Sequence, residues 1–188
     1  MSIQVEVDKA DMRALQFKMR NMMEKTPSRL KNAINRTGTQ AVKMLVSGTK
    51  GGYTYKKSVR KDLRIQKANP SHLDYTITAS GKPHTLSKSF KTSKPKSGGK
   101  ADVTRSGLKR LVTATGGAAF VPSAGKAEGL MAQRKGRSRF PIKVLYGNSA
   151  PKMVEKVYHG ERGGQGDMEP EIQKILHAEI KKEIAKIK

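Results

Sequence analysis

Residues 139–154 read RFPIKVLYGNSAPKMV, and two periods meet inside that stretch. Phe140, Ile142 and Val144 alternate with Pro141 and Lys143, the two-residue repeat of a strand with one buried face. Ser149 and Pro151 then open a helix, because a serine side chain can accept from a free amide and proline is tolerated in the first turn. Met153, Val154 and Val157 give that helix an apolar side, and the glycines of GERGGQG (160–166) break it as a flexible hinge. A strand that runs so quickly into a helix predicts a mixed protein.

Towards the C-terminus a last helix is expected from about Pro170, with Ile172, Leu176, Ile180, Ile184 and Ile187 on one stripe. Glu169 and Glu171 stand in its first turn and Lys186 and Lys188 in its last, as the helix dipole favours. In the other direction, AAFVP (118–122) and GLMAQR (129–134) read as further strands. Tyr75, Ile77 and Ala79 alternate, SGKP (80–83) makes a turn, and His84, Leu86 and Phe90 return on one face, which predicts a β-hairpin. In KKSVRKDLRIQK (56–67), Ser58 caps a short helix before an extended piece carrying Leu63 and Ile65.

The N-terminal part is helical after a short strand at residues 2–7. One helix starts near Asp8 with Met12, Leu15, Met19, Met22 and Met23 as ordinary core. A second starts at Thr26 and Pro27, carries Leu30, Ile34, Ala41 and Leu45, and stops at Gly48, Gly51 and Gly52. The expected fold class is α+β: N-terminal helices, a mostly antiparallel sheet with a long basic insertion, and a C-terminal helix. The expected core is Leu30, Ile34, Ala41, Leu45, Ile77, Phe140, Ile142, Val144, Ile172, Leu176 and Ile180. The length suits a single domain over 1–188. Residues 91–117 are too rich in Ser, Thr, Gly and Lys to offset the entropy of ordering by themselves, and are expected to form a long mobile arm or an extended hairpin.

Charge is the dominant feature of composition, with 39 Lys and Arg against 15 Asp and Glu, a formal +24. Residues 50–146 alone carry 22 basic and four acidic groups. Such a field calls for a polyanionic neighbour. Aromatics are few and Trp is absent, so stacking on bases is thinly supplied and contact with phosphates matters more. Five cations within nine residues, Lys56, Lys57, Arg60, Lys61 and Arg64, are the candidate DNA-facing groups, touching backbone rather than bases. The alternative account of these lysines is a solvated face, or contact with acidic surfaces of adjoining proteins.

No catalytic, cofactor-binding or metal-binding residue is expected. His72, His84, His159 and His177 fall in different elements, and there is no cysteine. Gly125 and Lys126 look like the end of a phosphate loop, but Phe120 stands where its first Gly belongs and Ala127 where its Ser or Thr belongs. Carboxylates are too sparse in the basic middle for a two-metal nuclease. No window approaches the ~18 apolar residues of a membrane span, and no leader is seen, so the protein is expected to begin in the cytoplasm.

Three blocks resemble the minor tail protein Z family of tailed bacteriophages: PSRLKNAINRTGTQAVKML (27–45), YTYKKSVRKDLRIQKA (53–68) and RFPIKVLYGNSAPKMV (139–154). The first is similar to the family's early helix through Ala33, Ile34, Asn35 and Arg36. The third is similar to its basic strand through Arg139, Pro141 and Ile142, followed by the Ser-Pro helix start. The resemblance implies a virion structural protein assembled in the bacterial host cytoplasm, a tail completion protein at the head-tail connection. It also implies a homo-oligomeric ring, six subunits as first guess, with connector, tail terminator or tail tube proteins as neighbours and phage DNA in the lumen. A small basic nucleic-acid-binding protein without sequence preference remains the alternative, and neither reading is an enzyme.

Overall fold

The computed structural model of the chain describes residues 9–113, 116–164 and 166–186, so the strand expected at 2–7 lies outside the described residues. The order is a long helix α1 (Lys9–Gly52), a 3-10 turn (Val59–Asp62), strands β1 (Leu63–Gln66) and β2 (Thr76–Ala79), and a single helical turn α2 (Leu86–Ser89). Strands β3 (Lys91–Ser93), β4 (Lys100–Asp102), β5 (Lys109–Arg110), β6 (Ala132–Arg134) and β7 (Ile142–Val144) follow, then helices α3 (Ala150–Tyr158) and α4 (Met168–Ile184). The class is α+β, with antiparallel ladders β3-β4-β5 and β6-β7 and a separate β1-β2 pair. Contacts divide the chain into two compact units, one of residues 1–41, 65–76 and 171–188, the other of 42–64 and 77–170.

In the first unit, the two N-terminal helices expected from Thr26 and Pro27 are one continuous helix. The Thr26 hydroxyl donates back to the Met22 carbonyl at 2.6 Å instead of capping a new start. Pro27 removes one helix donor, and the exposure of Met22 and Met23 leaves water free to serve the orphaned carbonyl. The methionine stripe is not core: Phe17, Met19, Met22 and Met23 are exposed, while the side chains of Met12 and Leu15 lie outside what is described.

Burial begins further along, at Ala33, Thr37 and Ala41. Between them the Tyr75 ring packs directly on Gly38, where any Cβ would overlap it, so a residue that weakens a helix is kept for close approach. The Asn35 amide ties residues 65–76 down through two bonds to Ala68, accepting from its N–H at 2.9 Å and donating to its carbonyl at 3.0 Å. On α4 the expected apolar stripe is only half right. Ile172, Leu176 and Ile180 are half-buried, Ile184 is exposed, Ile187 is not described, and beyond Met168 the residues that are buried are Glu179 and Glu183.

Arginines make that burial tolerable. Arg36 reaches Glu183 at 2.7 Å and Glu179 at 3.5 Å, Arg29 reaches Glu183 at 3.4 Å, and Lys182 and Lys186 close the network at 2.7 and 2.8 Å. The Lys186 hydrogen bond holds the Glu183 carboxyl below its ordinary range, and Lys182 followed by Arg36 does the same for Glu179.

The second unit is built on Tyr53, Val59, Phe90, Met131, Met153, Val157 and Met168, all fully buried. Here α1 ends where its glycines predict. Gly163, at φ +91°, lies against the backbone of Gly48 and Gly52, so the GERGGQG stretch serves close packing as well as breaking α3. Arg105 closes the helix end, its Nε donating to the carbonyls of Lys50 at 3.0 Å and Tyr53 at 3.1 Å.

The expected hairpin of residues 75–90 does not form. β2 pairs with β1, and Leu86–Ser89 is a helical turn. A strand through 84–90 would place Lys88 on the same face as Leu86 and Phe90. The turn instead buries Leu86, Ser89 and Phe90 at helical spacing and leaves Lys88 in water. Residues 91–117, expected as a mobile arm or an extended hairpin, carry the antiparallel three-stranded β3-β4-β5 meander, with 114 and 115 outside the described residues.

Of the expected core, Ala41 and Leu45 are buried and Leu30, Ile34, Ile77, Ile142 and Val144 are half-buried. Phe140 is the exception at 66% exposure, because β7 starts only at Ile142 and leaves the ring ahead of the ladder beside Arg139.

Two predictions follow from these positions. Met153→Ala should cost ~2–5 kcal/mol in urea unfolding, while Phe140→Ala stays within about 0.5 kcal/mol. Equal costs would refute the burial assignment. Because the folded Glu183 and Glu179 carboxyls are depressed, their contribution is complete above the unfolded range near pH ~4.3 and is lost as pH falls through the folded value. Glu183→Gln should therefore flatten the acid side of a melting-temperature profile, and an unchanged acid slope would count against the network.

Candidate nucleic-acid interface

The two units treat charge differently. The first carries 14 basic and eight acidic residues, the second 25 and seven, a net +6 against +18. Among the described residues, the only ion pair in the second unit is Lys156–Glu161 at 2.5 Å. Every other pair belongs to the first unit. The surface of the second unit is thus left uncompensated.

The five cations singled out in the sequence all lie there and all are exposed. Their segment is held from behind. Ser58 caps the 3-10 turn, its Oγ accepting from Arg60 N–H at 3.3 Å, and Val59 and Leu63 are buried beneath it. Tyr55 anchors the approach: its hydroxyl meets His84 Nε2 at 3.1 Å and Asp62 Oδ2 at 3.5 Å, and its ring sits 4.9 Å from His84 and 5.6 Å from Phe90. Burial, then the Asp62 carboxylate, raises the Tyr55 phenol above its ordinary value and keeps it a donor.

The structure groups only part of the set. Lys56 and Lys57 join Lys50 and Tyr55 around a hollow of about 340 Å³, with Lys56 Nζ donating to the Ser87 carbonyl at 3.3 Å. Arg60 and Lys61 stand on the 3-10 turn and Arg64 on β1, outside that hollow.

A second basic region was not singled out in the sequence. A cleft of about 600 Å³ is lined by Lys96, Arg110, Arg134 and Arg137 together with Gly98, Ala118 and Phe120, and no carboxylate lines it. A neighbouring cleft of about 770 Å³ shares Phe120 and Arg134 and adds Lys126 and Arg139. Arg134 lies over the Phe120 ring at 5.6 Å. Only Asp102 is acidic within 91–117, and it is buried, so what that segment shows to solvent is basic.

Among the described residues no group of three His, Asp or Glu is placed to hold a metal ion. No helix among them is long and apolar enough to cross a membrane. The chain matches no protein-family model, no curated protein and no solved structure.

Tyr55→Phe tests the anchoring of the 56–64 segment. It keeps the ring stack and removes the hydroxyl, and should cost ~1 kcal/mol in urea unfolding. No change, or a gain, would show that the hydroxyl does not hold this turn.

Proposed function

We propose that the chain is a structural protein of a tailed bacteriophage, a tail completion or minor tail protein that forms a ring at the head-tail connection around the DNA path. The observation that carries this reading is the uncompensated +18 of the second unit, with its carboxylates few and its cations exposed. A conduit must accept any sequence, and bare lysines and arginines touch phosphates without reading bases. Long-range attraction is limited by salt, with a Debye length of ~8 Å at physiological ionic strength, so contacts of this kind hold DNA without trapping it.

The resemblance of residues 27–45, 53–68 and 139–154 to the Z family supports the place in the particle. Phe17, Met19, Met22 and Met23 on α1 supply exposed apolar surface of the kind that assembly covers. Ring closure would use heterologous contacts between identical subunits.

The test is made in assembled particles. Electron microscopy should find this chain in several symmetric copies at the neck, and Lys57→Gln/Arg60→Gln/Lys61→Gln should assemble normally while losing DNA retention or delivery. A single copy per tail, or full infectivity of the triple variant, would overturn the ring or the conduit respectively. Tight, salt-sensitive duplex binding by a monomer found free of particles would favour the small nucleic-acid-binding protein instead.

A further inference from the structure

We infer that the cleft bounded by Lys96, Arg110, Arg134 and Arg137 is a seat for the phosphodiester backbone of nucleic acid, and that it extends through the shared Arg134 to Lys126 and Arg139. The inference rests on the DNA-contacting reading above and adds a contact separate from residues 56–64. Four cations converge on one concave surface of about 600 Å³ that no carboxylate lines. Among the described residues, none of the four is in an ion pair or a side-chain hydrogen bond.

The backbone makes the arrangement costly on its own. β4 and β5 pair Lys100 directly opposite Arg110, and like charges opposite one another across strands repel. Low-dielectric walls focus the field of such a cleft, which draws in an anion and lets it relieve the repulsion. A repeating phosphate polymer suits the geometry better than a single ion, because a second cleft of about 770 Å³ continues from Phe120 and Arg134 with two more cations. Phe120 fixes the shared arginine from below through its ring face, at 5.6 Å. Arg predominates along this track, and its planar fork matches pairs of phosphate oxygens.

The test compares duplex binding by the full chain with Lys96→Gln/Arg110→Gln/Arg137→Gln and with a charge-matched control, Lys152→Gln/Lys174→Gln/Lys181→Gln, using short DNA duplexes of unrelated sequence. Melting temperatures of both variants establish folding first. The cleft variant should bind at least about tenfold more weakly at low ionic strength, and the slope of log affinity against log salt should fall by about 3, roughly one per lost phosphate contact. The control should stay close to the unaltered protein on both measures.

Equal losses in the two variants, or none in the cleft variant, would overturn the site while leaving DNA contact standing. Absence of duplex binding by the unaltered protein would remove the DNA reading and this site with it. Polyglutamate bound as tightly as the duplex, and lost in the same variant, would make the cleft a seat for acidic protein instead.

Discussion

With 15 carboxylates for 39 cations, the position of each acid decides where this chain can pack and where it must stay in water. Glu183 shows the first outcome. A buried carboxylate is tolerable only when paired and hydrogen-bonded, and Arg29, Arg36 and Lys186 surround it. The contact between α1 and α4 leans on those partners, since the apolar residues beside them on α4, Ile172, Leu176 and Ile180, are only half covered. The second unit shows the other outcome. Its acids are too few to pair most of its cations, its core is assembled largely from methionines, Tyr53 and Phe90, and its cations stay outside.

Features that depend on neighbours in sequence were legible. Ser58 and its 3-10 turn, the stop of α1 at its glycines, the strand at 142–144 and the start of α3 each follow from local chemistry, although at α3 it is Pro151 in the first turn that marks the start and the Ser149 side chain makes no capping bond. What failed was decided at a distance. Thr26 and Pro27 look like a start only if a chain break is needed there, and α1 needs none. Residues 84–90 alternate like a strand, yet Lys88 would share the buried face, and the conflict is resolved by one helical turn. Glu183 falls beside an apolar stripe, and nothing local announces that two arginines about 150 positions away will cover it.

The candidate interface divides in the same way. Lys56, Lys57, Arg60, Lys61 and Arg64 were visible because they are contiguous, and the structure exposes all five while gathering only the first two around a hollow. Lys96, Arg110, Arg134 and Arg137 are spread over about 40 residues and belong to different strands and loops. In the sequence they add to a total charge. Only the meander and the β6-β7 pair bring them to one cleft.

The uncompensated charge also ties the stability of the second unit to whatever it faces. Strands as short as β3, β4 and β5 gain little from their ladder alone, and the Lys100 and Arg110 pairing works against them. Salt would ease the repulsion uniformly, whereas a polyanion seated in the cleft would ease it at the strands that suffer most. A ligand that binds the folded state alone adds RT ln(1 + [L]/Kd), so a contact weak enough for DNA to move past still stabilises the unit when local phosphate concentration is high. On the proposed reading, the lumen of an assembled particle is the place where that condition holds, and the excess of cations costs stability everywhere except where the protein works.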